Sequence, residues 1–213
     1  YILNSYKIHK QEYIINNSFP TWLIYRNDFF DSMADKINLD AFKALRDRSL
    51  TSKNMSSSGK VRVIKSRNIT PGGVVDLEAD QYVDSLSASP IASQYTHLES
   101  IVVAPNLSYY PRATLLPKNS IVDGSAAVLV PKDESININN DTLKFFASKD
   151  FFLFYRIARN YATRSLNIDR NSVFYWGLPK SETHRHVDFH PEENKSRFLF
   201  AKVGDLFETG FAV

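Results

Sequence analysis

Prolines at 105, 111, 117 and 131 cut the middle of this chain into pieces too short for long helices. A proline inside a central strand deletes a ladder donor, so each of these positions reads as a strand end. Around them lie short β-branched or aliphatic runs, Val61 to Lys65, Ser100 to Ala104, Ala113 to Leu116 and Ala126 to Val130, each bounded by Pro, Gly or Asn. Asp123-Gly124, between two apolar runs, is a hairpin signal, because Gly tolerates the backbone that a tight turn demands. The middle of the chain is therefore expected to be a β-rich unit.

Helical patterns flank it. Asn27 or Asp28 can cap a helix to about Ile37, with Phe29, Phe30, Met33 and Ile37 on one face. The clearest helix has Ser148 as N-cap and Asp150 in its first turn, and it is expected to run to about Tyr161. Its 3.6-residue period puts Phe151, Phe154, Tyr155, Ala158 and Tyr161 on one face and turns Arg156, Arg159 and Asn160 toward the other. Asn140-Asp141 opens a short helix through Phe146. Ser172 to Leu178 and Arg197 to Val203 read as further strands, and Leu39 to Leu50 fits helix and strand patterns alike. The expected fold is α+β and β-rich, a mixed or antiparallel sheet with a few packed helices, forming a single domain across residues 1–213.

A chain of 213 residues that is 43% hydrophobic and 13% aromatic has the material for a core, which excludes a disordered tail. No apolar run approaches the roughly 20 residues needed to cross a bilayer, so a soluble chain is expected. With no Cys, disulfides, thiolate metal sites and Cys nucleophiles are excluded. The first residue is Tyr1, with no initiator Met or leader, so a segment of a longer protein is expected.

The net charge of +3 does not by itself suggest a polyanionic partner, but its distribution does. Between Lys43 and Thr70 stand eight basic residues (Lys43, Arg46, Arg48, Lys53, Lys60, Arg62, Lys65, Arg67) against one acidic residue, Asp47. From Asp76 to Glu99 the pattern reverses, with Asp76, Glu78, Asp80, Asp84 and Glu99 and no Lys or Arg. A second basic group follows at Arg156, Arg159, Arg164 and Arg170. Such blocks can be plain solvated faces; a protein that grips nucleic-acid phosphates also needs them. The Ser56-Ser57-Ser58-Gly59 patch between Lys53 and Lys60 reads as a flexible loop, either an ordinary surface loop or one that closes over a phosphate backbone.

Reading DNA sequence takes Arg, Lys, Asn, Ser and Thr on loops held by a rigid frame. Three segments fit: Arg46 to Lys53, Arg62 to Ile69, and Arg159 to Ile168. In the second, strand alternation buries Val61 and Val63 and leaves Arg62, Lys65 and Arg67 available. In the third, a polar Thr-Arg-Ser-Leu-Asn turn follows the helix; Arg164 in it is a candidate reader, or else it caps helix carbonyls or pairs with Asp169.

These runs, with Tyr109-Tyr110-Pro111-Arg112, Leu116 to Ser125 and Tyr155 to Asp169, resemble the C-terminal target-recognition region of type II adenine-specific DNA methyltransferases of restriction-modification systems. The similarity is one of whole segments over about residues 40 to 178 rather than of a single catalytic motif. Related recognition domains occur in type I specificity subunits and in fused restriction-methylation enzymes. The resemblance implies a bacterial, cytoplasmic domain that binds double-stranded DNA and selects the site at which the catalytic methyltransferase domain of the same protein modifies adenine, with S-adenosylmethionine held in that other domain.

The chain lacks the catalytic parts of such an enzyme. An amino-methyltransferase site uses Asn or Asp followed by Pro-Pro and an aromatic, and there is no Pro-Pro here; Asn17-Ser18-Phe19-Pro20 is not that motif. Pro71-Gly72-Gly73 is a turn signal rather than a nucleotide cradle. No catalytic residue and no metal ligand is therefore assigned. A different chemistry, metal binding by His184, His186 and His190 with Asp188, would suit a metal-dependent nuclease module, and a protein-interaction module of a restriction system is a further alternative.

The expected DNA-contacting set is Arg46, Arg48, Lys53, Lys60, Arg62, Lys65, Arg67, Asn68, Tyr110, Arg112, Arg156, Arg164 and Asn167. Within it Lys53, Lys60, Lys65 and Arg156 would hold phosphates, and Arg48, Arg67, Arg112, Arg164 and Asn167 would reach base edges. Tyr109, Tyr110 and Phe174-Tyr175-Trp176 could stack on bases, though aromatics at such spacing more often fill cores.

Overall fold

The apolar runs between the prolines are buried on both faces, and this decides the architecture. A computed structural model describes residues 9–133, 136, 138–161 and 166–180. Its main strands are β1 (Phe42–Leu45), β2 (Val61–Ile64), β3 (Gln81–Val83), β4 (Val102–Pro105), β5 (Thr114–Leu115), β6 (Ser120–Val122) and β7 (Ala126–Pro131). An antiparallel sheet runs in the order β1-β7-β4-β5. A second, mixed sheet runs β6-β2-β3, with β6 parallel to β2 and β3 antiparallel to it.

The helices are α1 (Asp28–Asp35), α2 (Asn140–Phe146) and α3 (Lys149–Ala158). Along β7, Ala127 and Leu129 pack into one core with Phe30, Phe146, Phe151 and Phe154 of the helices. Ala126 and Val128 pack into the other with Val63 and Ile121 of the mixed sheet. β4 alternates in the same way, Val102 and Ala104 toward the helices and Val103 toward the second sheet. The four-stranded sheet is thus a middle layer, which is why its strands read as continuous apolar runs rather than alternating ones. Each fully buried aliphatic or Phe side chain contributes about 1.5–3 kcal/mol of transfer free energy, so these two cores supply most of the driving force.

The fold is α+β and β-rich, as expected, with mixed and antiparallel sheets. Capping at Asn27 and Ser148 follows the sequence, and the helix starting at Asn140 is capped by Asn139, a residue not singled out there. Asn27 accepts the Phe30 N–H at 3.0 Å, Asn139 the Thr142 N–H at 2.9 Å, and Ser148 the Phe151 N–H at 3.1 Å. Leu39 to Leu50, ambiguous in the sequence, contains β1.

Four local expectations are corrected. Asp123-Gly124 does not close a hairpin: β6 pairs with β2 while β7 pairs with β1 and β4, so this turn carries the chain from one sheet to the other. A Cβ on Gly124 would stand 2.9 Å from the Asp47 carbonyl oxygen, so close approach to that loop is what the glycine permits. Ser172–Tyr175 is a 3-10 turn, and only Leu178–Pro179 is extended, pairing with Ile37–Asn38. That pairing takes Ile37 out of the first helix. α3 stops at Ala158, short of Tyr161, because Asn160 and Tyr161 both adopt φ of 51°, a left-handed backbone that ends a helix. Arg197 to Val203 lies outside the described residues.

Candidate nucleic-acid interface

β1 ends at Leu45, and the chain then follows an exposed path through Arg48, Lys53 and Lys60 before entering β2. None of these three side chains forms an ion pair with a described residue. The path is nonetheless fixed at several points. Asp47 is buried, and its carboxylate accepts the Ser49 N–H at 2.7 Å and the Ser49 hydroxyl at 2.5 Å. Asn54 accepts the Thr51 N–H at 2.9 Å and donates to the Ser49 carbonyl at 3.2 Å. Ser56 exchanges backbone hydrogen bonds with Tyr82 of β3 at 3.0 and 2.8 Å, so the Ser-Gly patch begins docked on a sheet edge. Asn119 donates to the Lys60 carbonyl at 2.7 Å.

Four further basic residues of this block, Arg46, Arg62, Lys65 and Arg67, are engaged within the protein. The Arg62 guanidinium meets Asp76 and Asp80, each at 2.6 Å, and donates to the Val75 carbonyl at 2.7 Å. Strand alternation separates Arg62 from the buried Val61 and Val63, but the following acidic block folds back to cover it, so it is not left available. Lys65 is held by Gln81 and lies 3.8 Å from Asp123. Arg67 is exposed, and its guanidinium donates to the Ala79 carbonyl. Arg46 donates to the Gly124 carbonyl at 3.0 Å, and burial, with the neighbouring Arg48 charge, lowers its pKa.

Asn68 is fully buried, donating to Asp80 at 2.6 Å and to the Val75 carbonyl at 3.0 Å and accepting the Lys65 N–H at 3.0 Å. In this position it is a brace of the turn after β2 and presents nothing to a base edge. Burial raises the Asp80 carboxyl, but hydrogen bonds from Asn68 and the Leu77 N–H, together with Arg62, overcome this and hold it below the usual carboxylate range.

Arg112 is half-buried, donating through Nε to the Ile69 carbonyl at 2.7 Å and through Nη2 to the Ser66 carbonyl at 3.3 Å; burial lowers its pKa. Tyr110 packs its ring 5.3 Å from Phe152. Arg156, expected on an open helix face, is 5% exposed and stacks its guanidinium 5.0 Å above the Tyr161 ring. The left-handed turn after α3 folds Tyr161 back over it. Asn167 accepts from Arg159 at 2.6 Å, beside an Arg159–Asp169 ion pair at 3.0 Å. Arg164, and the His184, His186, Asp188 and His190 group, lie outside the described residues. Among the described residues no group of three or more His, Asp or Glu could hold a metal.

The aromatics divide cleanly. Tyr175 and Trp176 are core residues, Trp176 packing 4.9 Å from Phe146 and 5.0 Å from Phe151. Tyr155 is buried beside them; desolvation pushes its phenol to about 12, and it donates to the Asn167 carbonyl at 2.7 Å. Tyr109, in contrast, is 61% exposed, with Leu107 at 60%. Of the expected contact residues, Arg48, Lys53 and Lys60 are therefore exposed without an ion pair among the described residues, and Arg67 is exposed with its guanidinium on a backbone carbonyl. Lys43 and Arg170, counted in the basic groups but given no role by the sequence, line a separate cleft. No protein-family model and no curated protein matches this chain. Among the described residues no helix is long and apolar enough to cross a membrane.

Proposed function

We propose that this chain is a sequence-specific duplex-DNA recognition domain of a restriction-modification adenine methyltransferase, acting in the bacterial cytoplasm. S-adenosylmethionine and the reacting adenine would be bound by a catalytic domain of the same protein. The observation that carries this is the path of cations at Arg48, Lys53 and Lys60, which form no ion pair among the described residues, braced by buried Asp47 and by pairing with β3 while its charged ends stay exposed. The segment resemblance set out above supplies the choice of DNA and of adenine methylation. A polyanion grip works by releasing counterions, so it needs cations that are not already matched by carboxylates. Arg48 and Arg67 are then the base-edge candidates, and Lys53 and Lys60 the phosphate holders.

The test is a fluorescence-anisotropy titration of a labelled duplex at several salt concentrations. Affinity should fall steeply with salt, and replacing Lys53 and Lys60 by Ala should flatten the log–log slope by about 1 per residue. Salt-independent binding, or variants that leave the slope unchanged, would contradict the proposal.

A further inference from the structure

A cleft of about 690 Å³ opens between the β1 segment and the 3-10 turn at Ser172–Tyr175. Its walls carry four cations, Lys43, Arg46, Lys132 and Arg170, and two carboxylates, Asp40 and Asp169. Both carboxylates are already matched. Lys132 binds Asp40 at 2.6 Å, and Asp169 takes Arg159 at 3.0 Å and the N–H groups of Asn171 and Ser172 at 3.0 and 2.8 Å. Lys43, Arg46 and Arg170, by contrast, have no carboxylate partner among the described residues. Arg46 makes one bond, to a neutral carbonyl, and its Nε is buried without an acceptor. Arg46 is half-buried, and a partly desolvated guanidinium without a carboxylate partner is favoured by an anion held beside it.

The same cleft offers an apolar side. Pro20 and the half-buried Phe174 ring stand on its wall. A concave site of this size, with convergent cations beside an aromatic ring, suits a ligand that joins an anion to a flat apolar body. We infer that this cleft binds a nucleotide, its phosphate on Lys43 and Arg170 with Arg46 behind them, and its base against Phe174 and Pro20. The nucleotide is either free or part of a nucleic-acid strand. This site is distinct from the Arg48–Lys53–Lys60 path and does not rest on the DNA assignment.

Isothermal titration of the full chain with adenosine monophosphate, inorganic phosphate and a short single-stranded oligonucleotide, whose bases are free to leave the stack, separates the cases. The Lys43→Ala/Arg170→Ala variant changes two exposed side chains and should keep its melting temperature. If the ligand is a free nucleotide, adenosine monophosphate binds saturably and more tightly than phosphate, and the variant weakens it by about tenfold or more, the scale of a lost charge-assisted hydrogen bond. If it is a strand nucleotide, the mononucleotide is silent and the variant weakens binding of the single-stranded oligonucleotide by a similar factor. The inference is overturned if the variant changes neither affinity, or if inorganic phosphate binds as tightly as the mononucleotide. Duplex affinity still reduced by Lys53→Ala/Lys60→Ala in that event would leave the DNA assignment standing.

Discussion

Arg62 on β2 and Asp80 just before β3 meet at 2.6 Å, and through that pair the acidic block of the sequence closes onto the basic one. Asp80 is almost fully buried, and Asn68 holds its other oxygen at 2.6 Å. Two charge blocks that look separate along the chain are therefore partly neutralised against each other, and the exposed cations Arg48, Lys53 and Lys60 are what is left over.

Breaking this pair should show in stability first. Asp80→Ala leaves Arg62 facing only the exposed Asp76, and Asn68 short of an acceptor, and should cost about 3 kcal/mol, as removal of one partner of a buried pair does. Chemical denaturation compared with wild type checks it; a change below about 0.5 kcal/mol would show that the pair is only a surface contact.

The same carboxylates set the acid limit. Asp47, Asp80 and Asp169 are all held below the usual carboxylate range despite burial, by hydrogen bonds from Ser49, from Asn68 and from Ser172 respectively, aided by arginines at the last two. Their depressed folded pKa values contribute stability that is complete above the unfolded value of about 3.9 and is lost as pH falls through the folded values. Denaturation midpoints should therefore be flat on the neutral side and drop on acidification below about pH 4, with a shallower drop in Asp80→Asn measured against its own neutral-pH midpoint.

Gly177 sits where a Cβ would be 2.2 Å from Ile37 Cγ2 and 2.6 Å from the Asn38 carbonyl oxygen. Gly177→Ala should push the Leu178–Pro179 strand off Ile37–Asn38 and destabilise by about 1–3 kcal/mol, the usual range for overpacking. Thermal melting reads it directly, and an unchanged melting temperature would mean that the pairing is loose.

Arg156 separates the two roles an arginine can have in such a protein. Buried and stacked on Tyr161, it should behave as a core residue: Arg156→Ala lowers the melting temperature but leaves the salt dependence of duplex binding unchanged. A reduced salt slope with unchanged stability would reassign it to a phosphate.

The sequence was most legible where local chemistry decides. The caps Asn27 and Ser148, the Asn140 start of the second helix and the strands at β2 and β7 follow from side-chain hydrogen bonding and apolar runs. It was least legible where distant contacts decide. The Asp123-Gly124 turn has hairpin chemistry, but the partners of β6 and β7 come from elsewhere in the chain. The charge count could not show that Arg62 meets Asp80, that Tyr161 folds back over Arg156, or that Asn68 turns inward. Nor could it bring Lys43 to the same cleft as Arg170.

The most direct test of the central claim is selection of this chain against a randomised duplex library, with the bound pool sequenced at low and high salt. The account predicts one enriched motif that survives the higher salt and loses individual positions in Arg48→Ala or Arg67→Ala. Recovery of all sequences alike, with binding that disappears as salt rises, would contradict sequence recognition and leave only a basic surface.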